Sequence, residues 1–172
     1  EDECVELMER LATDAPLDEA LRDKITTASA GNPLFVEEML AMVREHGDGD
    51  VPVPPTIHAL LQARIDSLDG DVRVVMERGA VEGEVFHRGA VQALAPEEAQ
   101  VTTRLAGLVR RELIRPDRAQ LAGDDGYRFR HLLIRDAAYE ALPKATRATL
   151  HRRFADWLEE RGWDLVELDE ML

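Results

Sequence analysis

The first 46 residues place apolar side chains every three to four positions, which is the spacing of amphipathic helices. This pattern predicts three helices, over Glu3–Thr13, Leu17–Ser29 and Leu34–Glu45. The stretch that follows, HGDGDVPVPP, contains two glycines and three prolines, which cannot continue a helix. We therefore expect a helical bundle over residues 1–46 and a Pro/Gly-rich linker over residues 47–56.

Beyond the linker the pattern is again helical, with one β-like interruption. The segments LIRP and YRFR flank DRAQLAGDDG, whose Asp125-Gly126 pair is typical of a hairpin turn. Apolar spacing predicts four helices before this hairpin and two after it: Ile57–Leu68, Asp71–Val81, Arg88–Leu94, Pro96–Glu112, His131–Leu142 and Thr146–Arg161. Two helices, a short helix, a longer helix and a hairpin follow one another in this order in winged-helix domains.

The predicted fold class is therefore mostly α with a small β-hairpin. We expect the helical bundle and the linker to be followed by a winged-helix domain over residues 57–143 and by a C-terminal helical exit over residues 144–172. The last residues, WDLVELDEML, keep a helix-like and apolar pattern. The exit is thus expected to lead into further helical structure.

The composition is that of a soluble globular protein, because 45% of the 172 residues are hydrophobic and 33% are charged. No run approaches the ~20 apolar residues that a membrane span requires, and the first residues show no secretory pattern. A single cysteine, Cys4, excludes an internal disulfide and a cysteine metal cage. We expect a cytoplasmic protein without a membrane partner.

The net charge of −14 is unevenly distributed along the chain. Residues 1–95 carry a net charge of −12, residues 96–154 carry +4, and residues 155–172 carry −6. Only the middle block can present a surface that attracts an anion.

The sequence lacks the motifs of several enzyme classes. It has no G-x-x-x-x-G-K-[ST] loop, so it has no cradle for the phosphates of a nucleotide. It has no G-x-S-x-G, and its five histidines are too widely spaced for a local metal motif. We expect no catalytic residue, no metal site and no cofactor bound by the isolated chain, which is therefore not predicted to be an enzyme by itself.

Several segments occur in an order that resembles the second half of a STAND-class signalling ATPase, an AAA+-related switch. These segments are GNPLFVEEML, VPPTIHALLQARIDSL, RGAVEGEVFHRGAV, LVRRELIRPD and YRFRHLLIRDAAYEALPKATRATLHRRFADWLEE. The resemblance covers the chain roughly from Leu11 to Glu160. Each is weakly specific, and the ordered set carries the resemblance. Such ATPase regions occur in large LuxR-type regulators and beside adenylyl cyclase domains.

The resemblance implies that this chain is part of a longer protein, here called the parent. Residues 1–46 would be the helical lid of an ATPase whose nucleotide-binding domain, with its P-loop, precedes Glu1. The parent would bind ATP or ADP with Mg²⁺, and TPR-like helical repeats would follow residue 172. The chain's partners would then be that nucleotide-binding domain and those repeats, and the parent could self-associate on activation. Whether the parent itself hydrolyses ATP stays open.

Two interpretations stay open for the turn Gly31-Asn32-Pro33. The resemblance implies that it packs against the adenine and ribose, which suits a glycine that allows close approach and a helix start with free N–H groups. The alternative is purely structural, with Gly31 ending one helix and Pro33 opening the next. Glu37 and Glu38 are expected to favour that helix start through the helix dipole.

His131 follows a predicted strand and opens a predicted helix. The resemblance implies a contact with the β-phosphate that holds the ADP-bound state closed, and a helix N-terminus with Arg130 and Arg135 nearby suits an anion. The alternative is a histidine that caps the helix or bonds to backbone.

A DNA-binding winged helix is the second functional hypothesis. Its recognition helix would be Pro96–Glu112, with five DNA-facing side chains: Thr102, Thr103, Arg104, Arg110 and Arg111. Asp124 and Asp125 at the expected wing tip, together with the net charge of −14, argue against phosphate contacts, so we expect no DNA binding through this region. A protein-interaction module is a third hypothesis, suggested by the apolar C-terminal tail.

Overall fold

The computed structural model describes Met8 and residues 18–46, 51–119, 121 and 123–169. The chain divides into two compact units, Glu1–Ser67 (unit 1) and Leu68–Leu172 (unit 2). The described part is mostly helical with a small antiparallel sheet, which confirms the predicted fold class at that level. None of the described helices is both long enough and apolar enough to span a membrane.

Unit 1 is built from α1 (Glu19–Ser29), α2 (Pro33–His46) and α3 (Ile57–Asp66). The side chain of Thr56 begins α3 as an N-cap, with its oxygen accepting a hydrogen bond from Ala59 N at 3.2 Å. Helix α2 is buried along most of its length because its apolar residues cover more than one stripe. The core of unit 1 includes residues from all three helices: Ile25, Phe35, Val36, Met39, Leu40, Met42, Val43 and Leu60.

A buried ion-pair cluster joins α3 to α2. The guanidinium of Arg64, only 1% exposed, donates to the carboxylate of Glu38 and, at 2.9 Å, to Glu45 Oε1. A buried charge is tolerated when it is paired in this way. Glu38 is therefore a partner of Arg64 and not, as expected from the sequence, a residue that acts mainly through the helix dipole.

Unit 2 contains five helices and three strands in its described part. The helices are α4 (Gly70–Glu82), α5 (Arg88–Leu94), α6 (Val101–Arg110), α7 (Leu132–Ala141) and α8 (Lys144–Asp169). The strands are β1 (Val85–His87), β2 (Ile114–Asp117) and β3 (Gly126–Phe129). They form one antiparallel sheet in the order β1-β3-β2, with Phe86 opposite Tyr127 and Arg115 opposite Arg128.

Helix α4 lies at the centre of unit 2 and contacts the sheet at Gly79. A Cβ atom at this position would come within 2.8 Å of the Phe86 ring, so only glycine allows this approach. Phe86 in turn packs on Phe129, with ring centroids 5.1 Å apart. A second apolar cluster joins α4 and α5 to α8 and to Leu142, the residue that follows α7: Val81, Leu94, Leu142, Leu150 and Phe154.

The structure corrects three details of the predicted elements. The helix predicted over Pro96–Glu112 begins at Val101, because Glu98 takes part in a turn in which its N–H bonds to Ala95 O at 3.0 Å. Strand β1 was not predicted. Gly126 opens β3 instead of forming the centre of a two-residue turn, and its lack of a side chain accommodates the Ala119 backbone, which a Cβ would approach to 2.8 Å.

The division between the units falls after α3, whereas the predicted winged-helix domain begins at residue 57. Helix α3 lies in unit 1 because Leu60 packs in its core and Arg64 bonds to α2. The predicted helix Glu3–Thr13 lies outside the described residues apart from Met8, which is buried in the same core. The start of the predicted linker, residues 47–50, and residues 170–172 also lie outside them.

Candidate functional site

In unit 1, Gly31-Asn32-Pro33 forms a tight connection between α1 and α2. Ala30 and Gly31 both adopt positive φ, 46° and 83°, which ends α1. The side-chain oxygen of Asn32 accepts a hydrogen bond from Leu34 N at 3.1 Å, and Pro33 is the first residue of α2. The geometry of the turn thus agrees with the structural alternative, in which Gly31 ends one helix and Pro33 opens the next.

The same turn is accessible from outside unit 1. Gly31 and Pro33 are exposed, and a Cβ atom on Gly31 would meet no atom within 4 Å. A flat group such as a nucleobase can therefore approach the glycine backbone and the proline ring of unit 1. The nucleotide contact stays a prediction, and the geometry of the turn is compatible with it.

In unit 2, His131 connects β3 to α7. Its backbone carbonyl accepts hydrogen bonds from Ile134 N at 3.1 Å and Arg135 N at 3.4 Å, while its half-buried ring makes no capping bond to the helix. Capping of α7 by the side chain is therefore not the reason that a histidine occupies position 131. The neighbouring Leu132 and Leu133 are unusually exposed for leucines, at 54% and 46%.

The two arginines near His131 differ in their availability. Arg130 is exposed beside the start of α7. Arg135 instead holds α7 to α4, because its Nε donates to Ala80 O at 3.0 Å and its Nη1 to Asp136 at 3.1 Å. Of the two, Arg130 is the one whose position suits an incoming anion.

On α6, the residues predicted to face DNA fall into two groups. Thr102, Thr103 and Arg110 are exposed, and Arg111 is half-buried. Arg104 is engaged within unit 2, since its guanidinium lies 3.0 Å from Asp71 and 3.6 Å from Glu98. The predicted recognition surface is therefore only partly accessible.

Asp124, predicted to lie at an acidic wing tip, is turned inward. Its carboxylate is 2% exposed, and both its oxygens lie 3.1 Å from Gly89 N at the start of α5. Arg88 and Arg161 face it at 3.8 and 3.6 Å. Asp125 is 67% exposed and contacts Arg88. Asp124 therefore does not present its carboxylate to solvent at the expected wing tip, because the carboxylate contacts Gly89 of α5 and Arg161 of α8.

A buried histidine and glutamate lie beside the connection between β2 and β3. The ring Nδ1 of His87 lies 2.6 Å from Glu82 Oε1, and the His87 N–H donates to Glu82 Oε2 at 2.8 Å. On the other side of the ring, Nε2 accepts a hydrogen bond from Leu121 N at 3.3 Å. Burial raises the pKa of Glu82, and the bonds from His87 oppose this rise. Sequence reasoning missed this pair because its two members belong to different elements.

Among the described residues, no group of three or more histidine, cysteine or carboxylate side chains is arranged to hold a metal ion. The four residues predicted to contact a nucleotide are divided between the two units. Gly31, Asn32 and Pro33 belong to unit 1, and His131 belongs to unit 2.

Comparison with known proteins adds one relative. No protein-family model matches the chain, and no solved structure matches it. An uncharacterized protein of Rhizobium meliloti (strain 1021) is 30% identical over 142 residues. The similarity takes in 77% of this chain but only 14% of that relative, so the chain resembles a small part of a much longer protein.

Proposed function

We propose that this chain is the regulatory region of a cytoplasmic STAND-type signalling ATPase, either a transcriptional regulator or an ATPase linked to an adenylyl cyclase. Unit 1, which also includes α3, would contain the lid, and unit 2, which also includes the C-terminal exit, would contain the winged helix of the switch. The phosphates and Mg²⁺ would be held by a separate nucleotide-binding domain, since the sequence contains no phosphate-cradling loop. The chain would report which nucleotide is bound without carrying out chemistry.

The topology of unit 2 supports the winged-helix part of this proposal. After α4, the short helix α5, the longer helix α6 and the antiparallel pair β2 and β3 follow one another in the predicted order, with the unpredicted strand β1 between α4 and α5. Strand β1 pairs with β3, so the sheet closes one side of the three helices. The length of the relative supports the view that a chain of this kind functions within a larger protein.

The observation that carries the proposal is the position of His131 at the junction of β3 and α7. Its ring makes no capping bond to α7, and the exposed Arg130 precedes it. A helix start attracts anions through its free N–H groups. In the parent, His131 would bond to the β-phosphate of ADP, and Gly31 and Pro33 would contact the base and ribose.

Photolabelling tests these contacts directly. The intact parent would be irradiated with an azido-adenine derivative of ADP, and labelled peptides would be identified by mass spectrometry. We expect label in the peptide that contains Gly31 and Pro33, and we expect excess ADP to suppress it. Label confined to the nucleotide-binding domain would refute the lid contact. In calorimetry, the isolated chain should show neither micromolar ATP binding nor turnover, and either result would refute the proposed role.

A DNA-binding role remains the second candidate, because Thr102, Thr103 and Arg110 are exposed on α6. Three observations count against it. Arg104 is paired with carboxylates, Arg128 on β3 is paired with Asp117 and Glu84, and the chain has a net charge of −14. Submicromolar binding with a clear salt slope in a mobility-shift titration would restore it to first place.

The exposed Leu132 and Leu133 keep a protein-interaction role under consideration. Replacing both leucines by serine should leave nucleotide affinity of the parent unchanged, while impairing any partner contact made through α7. The double variant thus separates this role from the nucleotide-sensing one.

A further inference from the structure

Helix α8 has an inner face that packs on the rest of unit 2 and an outer face that is exposed. Leu150 and Phe154 belong to the inner face and lie in the second apolar cluster. Leu158 is 39% exposed, which is unusual for a leucine. It lies on the other side of the helix among exposed residues that are here called the outer face: Ala148, Arg152, Ala155, Leu158 and Glu159.

The outer face has the spacing of a surface at which two helices pair. Ala148 and Ala155 are seven residues apart, and Leu158 follows three residues later, so all three lie along one seam. Arg152 and Glu159 are also seven residues apart and flank this seam on one side. The alanine side chains allow a second helix to approach closely, and Leu158 offers that helix an apolar contact.

The charges of the outer face are not neutralised within the chain. Seven residues of α-helix extend about 10 Å along the axis, so Arg152 is too far from Glu159 to pair with it. In the part of the chain that the structure describes, neither of these side chains forms an ion pair. The neighbouring sequence has the same polarity. Residues 141–155 include four basic side chains and no carboxylate, whereas residues 156–160 include three carboxylates and no basic side chain.

We propose that the outer face binds the same face of a second copy of this chain, with the two α8 helices antiparallel. A two-fold axis beside Ala155 brings Arg152 of each copy next to Glu159 of the other, so that both ion pairs form at once. The two Leu158 side chains then lie near the axis, where each is covered by the opposite helix. A parallel pair would instead place arginine beside arginine and glutamate beside glutamate, which is unfavourable.

The order of the charges favours a second copy over another partner. An antiparallel copy supplies a glutamate opposite Arg152 and an arginine opposite Glu159 by symmetry alone. An unrelated partner would need one negative and one positive charge placed about 10 Å apart in the matching order. The pairing uses only residues of α8 and is independent of the nucleotide-sensing role.

Sedimentation equilibrium of the whole chain tests this pairing. Exposed ion pairs contribute little and are screened by salt, so we expect a weak dimer, with a Kd between about 10 μM and about 1 mM that rises with salt concentration. Arg152→Glu and Glu159→Arg should each raise the Kd about tenfold or more, because each substitution turns both ion pairs into like-charge contacts. An equimolar mixture of the two variants should associate about as tightly as the unmodified chain, since both pairs then join opposite charges.

Arg153→Glu is the matched control, because it makes the same change in charge at an exposed residue. Residue 153 is turned about 100° around the helix from residue 152, away from the outer face, so the Kd should change by less than about twofold. An equal effect of Arg153→Glu and Arg152→Glu would overturn the proposal, as would a mixture of Arg152→Glu and Glu159→Arg that does not associate. A chain that stays monomeric at about 1 mM would also overturn it, and is the result expected if only another part of the parent covers the outer face.

Discussion

Both carboxylate oxygens of Asp124 lie 3.1 Å from the backbone nitrogen of Gly89, a residue on a different element of unit 2. The contact places a buried anion at the first turn of α5, where free N–H groups favour negative charge. A Cβ atom on Gly89 would collide with this carboxylate. The glycine and the aspartate are therefore matched to each other, and their contact holds Asp124 at the start of α5.

Asp124→Ala should lower the free energy of unfolding by about 1–3 kcal/mol, because it leaves a buried N–H without its acceptor. Urea unfolding followed by tryptophan fluorescence measures this, since the Trp157 ring lies close to this contact: a Cβ atom on Gly89 would be 3.3 Å from it. Asp125→Ala is the matched control. Its side chain is 67% exposed, so we expect a change within about 0.5 kcal/mol. Equal effects of the two variants would contradict the inward position of Asp124.

Gly79→Ala should destabilise unit 2 by about 1–3 kcal/mol, because the added methyl would press on the Phe86 ring. Gly107→Ala, also within a helix, should instead stabilise it by about 0.5–1 kcal/mol. The methyl at residue 107 would meet only Arg110, at 3.8 Å. The melting temperatures of the two variants should therefore shift in opposite directions. A shift of the same sign would contradict the tight contact between α4 and β1.

Arg64→Met should destabilise unit 1 by about 3–5 kcal/mol, because it removes the buried guanidinium that pairs with the buried Glu38 carboxylate. Adding Glu38→Met should recover much of this loss, as Glu45 is 24% exposed and can be hydrated. Circular dichroism is the appropriate probe, since both tryptophans, Trp157 and Trp163, fall in unit 2. If the double variant is no more stable than Arg64→Met, the buried charge of Glu38 is not the cause of the destabilisation.

Glu77→Gln should stabilise unit 2 at neutral pH. Burial raises the pKa of Glu77 in the folded chain, despite the opposing charges of Arg78 and Arg73. The folded state then holds the proton more tightly than the unfolded state, so the stability contributed by Glu77 falls as pH rises through its folded pKa. Melting temperatures should thus differ most at pH 7 and converge well below pH 4.5. A variant less stable than the natural chain at pH 7 would contradict this sign.

Most of the fold could be predicted from the sequence, because helical periodicity is a local property. Helix α5 was predicted with its observed bounds, whereas α6 begins five residues after its predicted start and α8 continues to Asp169, beyond its predicted end at Arg161. Strand β1 has only three residues, Val85–His87, too few to show an alternating pattern. It exists because Phe86 packs on Phe129 and because β3 offers it a pairing edge.

The candidate site could be predicted less completely, because its contacts are tertiary. The Gly31-Asn32-Pro33 turn and the strand-to-helix position of His131 follow from local residue preferences. By contrast, Asp124 has the sequence character of a turn residue, and only the folded loop shows that its carboxylate faces Gly89 and Arg161. The pairing of Arg64 with Glu38 was hidden for the same reason, since the two residues lie on different helices.

The rate of ADP release from the intact parent tests the proposed switch most directly. His131→Ala would be compared with His58→Ala, which changes an exposed histidine on α3. Loss of a charge-assisted bond worth about 1.5–3 kcal/mol should speed ADP release about ten- to a hundredfold in His131→Ala and leave it unchanged in His58→Ala. The melting temperature of the isolated chain should be little affected by His131→Ala. Unchanged ADP release from the His131→Ala parent would contradict a nucleotide-sensing role for this region.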